Sequence, residues 1–176
     1  LDYPCNILYP AEMYKDATTI TLPAVQAAAT GSFGSDAAPM AAVAEGTSTP
    51  LLKHLTATVR LRVKAASEEH TALRTIKFQG NNSEQVSGDF TIDYANATLT
   101  ETSTAAADLV VAAKVNQTLT TESTIDVFVV VPAREYANGF TVTLLDENGH
   151  FMTKAKGSAV TIAAGEIYAM PDLTFA

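Results

Sequence analysis

Tryptophan is absent from this sequence of 176 residues, and cysteine occurs once, as Cys5. A single thiol cannot close an internal disulfide, so the class of small disulfide-stapled scaffolds is excluded. The missing tryptophan argues mildly against a carbohydrate site built on a large aromatic platform, although tyrosine and phenylalanine remain to supply one. The residues before Cys5 do not form a small-residue processing site, which argues against lipidation of this cysteine.

Basic residues are scarce as well, because 11 Lys and Arg are outnumbered by 19 Asp and Glu, for a net charge of −8. The basic surface that nucleic-acid binding requires is missing, and an anionic lipid surface would repel the chain. No apolar run approaches the ~20 residues of a membrane-spanning helix. We therefore expect neither a nucleic-acid partner nor a membrane span. The hydrophobic fraction of 47% is that of an ordinary globular protein.

Residues 55–65, with the sequence LTATVRLRVKA, form the most informative stretch that is present. Apolar residues alternate there with Thr, Arg and Lys without a break. Side chains on a strand alternate between two faces, whereas a helix has a period of 3.6 residues. The stretch therefore predicts a half-buried strand, with Arg60, Arg62 and Lys64 on the face toward water.

Short strands of this kind recur along the chain, as they do in a β-sandwich. Asn148-Gly149 predicts a tight hairpin turn. Residues 125–131 are apolar at nearly every position, which predicts a central strand buried on both faces. Residues 24–29 are rich in alanine, but Gly31 follows quickly, so we predict a loop or a single turn there. Strands are predicted near residues 6–9, 18–22, 39–44, 55–65, 73–78, 89–94, 97–100, 108–113, 125–131, 140–144, 151–155, 159–162 and 167–170.

The fold class predicted from this pattern is all-β, an antiparallel β-sandwich. The density of strands changes near residues 46–50 (GTSTP). We therefore divide the chain into an N-terminal β segment, residues 1–48, and a β-sandwich domain, residues 49–176. The second part has about seven or more strands, the number typical of a complete sandwich.

No residue pattern in the chain predicts a catalytic centre. The GTSTP segment lacks the final glycine of a nucleophile elbow. His54, His70 and His150 are far apart and lack the spacing of zinc ligands. The glycines occur singly, so no phosphate-binding loop is present. We predict no catalytic, cofactor-binding or metal-binding residues, and no cofactor.

Neighbouring carboxylates occur at Glu68-Glu69, at Asp89 with Asp93, and at Asp146-Glu147. A glycosidase needs two carboxyl groups facing each other across a cleft. Asp89 and Asp93 share the wet side of a predicted strand, so a solvated face explains them better. A hairpin turn accounts for Asp146-Glu147 and the two residues that follow.

Several segments together resemble the fimbrillin family of Bacteroides-type bacteria, the subunits and the tip or anchor proteins of surface pili. No motif among them is diagnostic alone, and their order and spacing carry the resemblance. The segments are 18–26 (TTITLPAVQ) with 39–43 (PMAAV), 52–57 (LKHLTA) leading into VRLRV, 76–88 (IKFQGNNSEQVSG) with 90–93 (FTID), and the closing segments 129–132, 140–149 and 162–175.

The resemblance implies a transthyretin-like Greek-key β-sandwich, often as two sandwiches in series, with residues 1–48 as the tail of a first one. It implies export as a lipoprotein precursor, a place in the fimbrium at the outer membrane surface, trimming at a basic residue, and a role in cell adhesion. It also implies that the partners are other pilus subunits, which join by β-strand addition: a sheet edge or groove of one subunit accepts a strand from the next.

The segment 166–176 is the plausible donor strand or terminal strand under this resemblance. Its apolar residues would fill the groove of a neighbouring subunit or complete the sandwich of their own chain; both readings stay open. The residues concerned are Ile167, Tyr168, Met170, Leu173 and Phe175.

Two other functions compete with a pilus subunit. The chain would instead be a surface glycan- or protein-binding β-sandwich module, with exposed tyrosines such as Tyr136 contacting host or bacterial surface glycans or proteins. The other competing function is that of a hydrolase with scattered catalytic residues. A hydrolase of this kind requires a cleft with two carboxylates of raised pKa. The absence of a catalytic pattern favours a chain that is not an enzyme.

Overall fold

The computed structural model describes residues 2–29, 31–69 and 71–176, and the chain is all-β within them. The only helical segments in this part of the chain are two short 3₁₀ helices, Ala11–Met13 and Ala106–Leu109. The strands are β1 (Cys5–Tyr9), β2 (Tyr14–Asp16), β3 (Thr19–Leu22), β4 (Val25–Ala29), β5 (Ser32–Phe33), β6 (Met40–Ala44), β7 (Lys53–His54), β8 (Thr56–Ala65), β9 (Ala72–Gly80), β10 (Gly88–Asp93), β11 (Thr98–Glu101), β12 (Val110–Thr118), β13 (Ile125–Pro132), β14 (Arg134–Tyr136), β15 (Phe140–Asp146), β16 (Phe151–Lys156), β17 (Val160–Ile162), β18 (Ile167–Ala169) and β19 (Leu173–Phe175).

The larger of two sandwiches pairs a six-stranded sheet with a four-stranded sheet. The six-stranded sheet has the order β16-β15-β9-β12-β4-β5, and the four-stranded sheet has β8 between β13 and the two C-terminal strands. The inward rows of both sheets form one hydrophobic core. Four aromatic rings meet at its centre: Phe140 lies 4.8 Å from Phe78 and 5.6 Å from Tyr168 between ring centroids, and Tyr136 lies 5.4 Å from Phe78.

A second, smaller sandwich lies beside it. Its three-stranded sheet has the order β1-β6-β7, and its four-stranded sheet has the order β11-β10-β3-β2. Their inward residues share a core of their own, which includes Ile20, Leu55, Phe90, Ile92 and Tyr94. This core is the smaller of the two, and large aliphatic and aromatic side chains at alternate positions of β3 and β10 fill most of it.

The two sandwiches are interleaved along the chain. β10, from the middle of the chain, pairs with β3 in the small sandwich. β4, from the N-terminal part, pairs in parallel with β12 in the large sandwich. Strand pairing therefore crosses the boundary predicted near residues 46–50 in both directions. The division into residues 1–48 and 49–176 stays a prediction.

The alternation in residues 55–65 is confirmed as β8. Val59, Leu61 and Val63 are fully buried, whereas Arg62 on the opposite face is exposed. The hairpin predicted at Asn148-Gly149 is also confirmed, because β15 and β16 pair on either side of it. Gly149 has a φ of +83°, a conformation that glycine adopts without strain.

The register of β9 explains why Leu73 is out of step with Ile76 and Phe78. The pairing of β9 with β15 shifts between Leu145 and Asp146, and its pairing with β12 shifts between Lys114 and Gln117. Such irregularities bend a strand and re-aim a side chain. Leu73 therefore points into the core and is fully buried like Ile76.

Two expectations from the sequence are wrong. Residues 24–29 do not form a loop or a turn, because 25–29 form β4, an inner strand of the six-stranded sheet. Residues 125–131 do not form a central strand: β13 lies at one end of its sheet and pairs only with β8. The apolar sequence of β13 is explained by its contacts with β4 and β5, which lie against this strand although they do not pair with it.

The buried side chain of Gln26, from β4, closes part of the free side of β13. Its Nε2 donates to the carbonyl oxygen of Val130 at 2.8 Å, and its Oε1 accepts from the Val130 N–H at 3.0 Å. The side chain is 3% exposed. The amide thereby replaces the neighbouring strand that would otherwise satisfy both backbone groups of Val130.

Two sheets present outer faces that differ in charge. The basic face is the outer side of the six-stranded sheet, and its outward positions include Val25, Ala27, Ala29, Ser32, Ala72, Thr75, Lys77, Gln79, Val110, Ala112, Lys114, Thr118, Thr141, Thr143, Leu145, Phe151, Thr153 and Ala155. The acidic face is the outer side of the small four-stranded sheet, and its outward positions are Asp16, Thr19, Thr21, Asp89, Thr91, Asp93, Thr98 and Thr100.

Candidate functional site

The C-terminal segment pairs with β8 of its own chain. β18 and β19 both run parallel to β8, with Ile167 opposite Thr58 and Phe175 opposite Ala65. Backbone hydrogen bonds of 2.9 Å from Thr58 N to Glu166 O and from Met170 N to Arg60 O hold β18 in place. This pairing is parallel, like that of β4 with β12, whereas the other strand pairs of the described residues are antiparallel.

The five apolar residues predicted in this segment differ in their burial. Met170, Leu173 and Phe175 are buried in the large core, and Tyr168 lies half-buried against Phe140. Ile167 points outward and is 59% exposed. The segment thus completes the large sandwich along its edge. Its role as a donor strand for another subunit stays a prediction.

The small sandwich is open at the end where Tyr94 lies. A cleft of about 320 Å³ runs between β1 and the β2 region and is lined by Asn6, Leu8, Ala11, Tyr14, Ala17 and Tyr94. A second cleft of about 260 Å³ lies on the other side of Tyr94, against β6 and β7. Tyr94 is 8% exposed and closes the small core between the two clefts. We call the first of these clefts the β1 groove.

The tyrosines of the β1 groove combine an apolar ring with a polar tip. Burial raises the pKa of the Tyr94 hydroxyl, and the nearby Tyr14 and Asp16 raise it further. Tyr14 is 56% exposed, so its ring is accessible from the groove. The sequence predicts a strand over residues 89–94, which includes Tyr94, but does not single out Tyr14 or the groove. The two tyrosines are 80 positions apart, so no local pattern links them.

The outermost strands of the two sandwiches are protected to different degrees. Met152, Lys154 and Lys156 of β16 lie opposite the inward residues Leu144, Val142 and Phe140, so both lysines are on the inner side of this edge. Inward-pointing lysines are a common protection against pairing with another chain. β1, of sequence CNILY, carries no charge, and among the described residues it pairs on one side only, with β6.

The carboxylates on the acidic face do not form an acid–base pair. Asp89 accepts hydrogen bonds from Lys15 and from Thr21, the latter at 2.6 Å, and the Lys15 bond holds its pKa below the usual value. A hydrogen bond from the Asn96 side chain lowers the pKa of Asp93 in the same way. A glycosidase acid needs a raised pKa. The prediction of a solvated strand face agrees with this geometry.

Within the described residues, no group of three or more His, Cys, Asp or Glu side chains is placed to hold a metal ion. His54 is exposed in β7, and the His150 ring packs 5.7 Å from Phe175. His70, the third histidine considered, lies outside the described residues. No helix in the described part of the chain is long and apolar enough to cross a membrane.

Tyr136, suggested from the sequence as an exposed glycan contact, is fully buried, so that suggestion is wrong. Its hydroxyl donates a 3.0 Å hydrogen bond to the carbonyl oxygen of Pro132, and burial raises its pKa. The alternation of the Arg134–Tyr136 strand, which pairs with β17, turns Tyr136 into the core. Sequence alone did not reveal this short strand.

A crystal structure of a candidate cell adhesion protein from Bacteroides ovatus shares this fold. The two superpose with a TM-score of 0.56 at 14% sequence identity, over 93% of this chain and 59% of that one. A second candidate cell adhesion protein, from Bacteroides fragilis, matches with a TM-score of 0.44 at 16% identity, over 75% of this chain and 50% of that one. The chain thus spans between half and three-fifths of the length of these proteins. No family model matches the sequence, and a search of curated proteins finds no match.

Proposed function

We propose that this chain is a structural subunit, or a tip or anchor adhesin, of a bacterial surface pilus that joins its neighbours by strand addition and mediates cell adhesion. The observation that carries the proposal is the uncharged edge strand β1 beside the open β1 groove of the small sandwich. The fold shared with a candidate adhesion protein supports a place at the cell surface. The Bacteroides structures are described as candidate adhesion proteins, which supports a function without catalysis.

The small sandwich has the features of a strand acceptor. β1 pairs with β6 over five residues and closes one side of a small core. Lys15, whose side chain is 53% exposed, follows β1 in the chain. Cleavage after Lys15 would free β1, and the edge of β6 would then be open to main-chain hydrogen bonds from an incoming strand.

The C-terminal strands have the features of a donor. They lie at one end of their sheet and are held by parallel pairing with β8 alone. Met170, Leu173 and Phe175 present apolar side chains that suit a hydrophobic groove. Moving from one core to an equivalent one costs little net free energy, because the same apolar surface is buried in both places.

Locking the C-terminal strands in place tests the proposal. Lys64 and Thr174 lie opposite each other in β8 and β19. Neighbouring strands are about 4.8 Å apart, within the Cα–Cα range that a disulfide spans. We expect K64C/T174C, in a Cys5→Ser background, to polymerise after mild trypsin treatment only when it is reduced. Light scattering across a concentration series measures the polymers.

The unmodified chain and the Cys5→Ser variant are the controls, and both should polymerise after trimming in either redox state. An oxidised, locked chain that polymerises as readily as the reduced one would show that the C-terminal strands are not the donor. A trimmed chain that remains monomeric at high concentration would count against the pilus subunit itself.

Glycan binding is the second candidate function, and the exposed ring of Tyr14 in the β1 groove favours it. An accessible tyrosine ring with a neighbouring amide, that of Asn6, suits the apolar face and the hydroxyls of a sugar. We expect a glycan-array signal that Tyr14→Ala abolishes and that Tyr3→Ala, a change of another exposed tyrosine outside the groove, leaves intact. An array without signal for the unmodified chain would exclude this candidate.

A further inference from the structure

The basic face carries no carboxylate at the outward positions named above, although the whole chain has a net charge of −8. Lys77 and Lys114 lie near its centre, on adjacent strands: Lys77 is opposite Ala112, and Lys114 is opposite Thr75. Threonine, alanine and valine make up most of the remaining positions. The face therefore presents mostly short side chains and a positive charge.

Within the described residues, the two lysines of the basic face lack the ion pairs that Arg62 forms on the other sheet of the same sandwich. On β8, Arg62 forms ion pairs with Asp126 at 3.8 Å and with Asp172 at 3.3 Å. In the described part of the chain, neither Lys77 nor Lys114 makes a hydrogen bond or an ion pair. The charge of Arg62 is thus compensated by two carboxylates within the described residues, whereas no carboxylate compensates Lys77 or Lys114 there.

The acidic face has the opposite character on the same kind of surface. Asp16, Asp89 and Asp93 are its charged outward residues, and Lys15 compensates only one of them, Asp89. The other five outward positions are threonines. Both faces thus present short β-branched side chains on a sheet of about 4.8 Å strand spacing, with charges of opposite sign.

We infer that the acidic face of one copy of this chain docks on the basic face of a second copy. Two faces that are rich in short side chains can approach closely, and the lysines of one then meet the aspartates of the other. The contact is heterologous, because it joins two different surfaces of the same molecule. Each docked pair leaves one basic and one acidic face free, so further copies can add to it.

The contact differs from strand addition, because it joins complete sheet faces and exchanges no strand. Each face covers only a few hundred Å², roughly the low end of specific interfaces, so a weak association is expected. Attraction between exposed charges is screened by salt. Association of the untrimmed chain should therefore weaken by roughly tenfold between 50 mM and 500 mM salt.

Two variants, each changed on one face, test the inference. K77E/K114E reverses the charge of the basic face and leaves the acidic face intact. T91K/T100K adds two positive charges to the acidic face and keeps its aspartates and their hydrogen bonds. Sedimentation velocity should show that each variant alone stays monomeric at concentrations where the unmodified chain associates.

Mixing the two variants gives the decisive result. The intact acidic face of K77E/K114E should bind the intact basic face of T91K/T100K, giving a one-to-one dimer that does not grow further. The matched control is K53E/K64E, which changes the net charge by the same amount as K77E/K114E but at two lysines outside both faces. It should associate like the unmodified chain. The variants should keep the melting temperature of the unmodified chain, which shows that they fold.

Three results would overturn the inference. They are a monomeric unmodified chain at every salt and concentration, association that persists in either variant alone, and a mixture of the two variants that remains monomeric. A chain that stays monomeric but is retained by an immobilised anionic polysaccharide, and loses retention in K77E/K114E, would assign the basic face to a different partner. Repeating the measurement on the oxidised K64C/T174C chain excludes any contribution from strand exchange.

Discussion

The large and the small sandwich differ in how much hydrophobic surface each one buries. Among the described residues, the large core unites 24 buried hydrophobic side chains and the small core nine. A core of nine side chains is too small to hold an independent domain without further support. We therefore expect the large sandwich to supply most of the free energy of unfolding, whereas the small sandwich can rearrange.

The small sandwich obtains its support through polar contacts at its junction with the large one. Gln85, fully buried in the connection between β9 and β10, donates to the carbonyl oxygens of Ser87 and Asp89 and accepts from the N–H groups of Thr102 and Ser103. Glu101, at the end of β11, forms an ion pair with Arg134 of β14. These contacts fix the β10–β11 hairpin to the larger body.

Removal of the same side chain from each core is the strongest test of this comparison. Phe78→Ala should lower the free energy of unfolding of the whole chain by about 3–5 kcal/mol, because Phe78 is fully buried among aromatic rings. Phe90, 1% exposed in the small core, is the matched control. Phe90→Ala should mainly open β3 and β10. Urea denaturation and amide hydrogen exchange measure the two effects.

The comparison would fail if Phe90→Ala destabilised the whole chain as much as Phe78→Ala. In that case the two sandwiches would unfold as one cooperative unit, and the small one would have no freedom of its own.

The junction is tested by Gln85→Ala, which should lower the free energy of unfolding by about 2–3 kcal/mol, because four buried or partly buried backbone groups lose their partner. We expect faster hydrogen exchange in β10 and β11 and unchanged exchange in β8 and β13. Ser103→Ala, which keeps the Gln85 contacts, serves as a milder control. Equal acceleration in both sandwiches would show that Gln85 does not act as a local junction.

Gln26→Leu tests whether the buried Gln26 amide stabilises the large sandwich. It leaves the N–H and the carbonyl of Val130 without their buried partner, at a cost of about 1–3 kcal/mol in the free energy of unfolding. Gln79→Leu, on the exposed basic face, is the matched control and should change stability by less than about 0.5 kcal/mol. Thermal unfolding compares the two, and equal losses would contradict the role given to Gln26.

The smallest expected effect is the response of the small sandwich to acid. Hydrogen bonds lower the pKa of Asp16, Asp89 and Asp93 below the ordinary 3.8. A lowered folded-state pKa contributes stability that is present above the unfolded value and is lost as pH falls through the folded one. Hydrogen exchange in β3 and β10 should therefore rise below about pH 4, before that in β8. If hydrogen exchange in β8 rose at the same pH as in β3 and β10, the proposed role of the three aspartates would be contradicted.

The strands themselves could be predicted well from alternation, because one face of each sheet is wet and the other dry. β8, β10 and β15 show this. β4 could not be predicted because its run of alanines shows no alternation of polar and apolar residues. Its position in the sheet depends on parallel pairing with β12, 87 positions later in the chain. Short strands such as Arg134–Tyr136 were missed for a similar reason: three residues are too few to show a period.

The candidate site was less predictable than the fold. The C-terminal strands were identified by their apolar residues, but their parallel pairing with β8 depends on contacts more than 100 positions apart. The β1 groove brings together Asn6, Tyr14 and Tyr94 from three separate strands or their ends. The charge contrast between the two outer faces emerges only from the register, because Lys77 and Lys114 are far apart in sequence.

The parallel pairing of β19 with β8 has a mechanical consequence for a protein under tension. A pull between the small sandwich and Phe175 draws β8 from its N-terminal end and β19 from its C-terminal end, in opposite directions along parallel strands. The hydrogen bonds between them are then loaded together in shear, rather than opened one after another like a zipper. Resistance to force is therefore greatest along this axis.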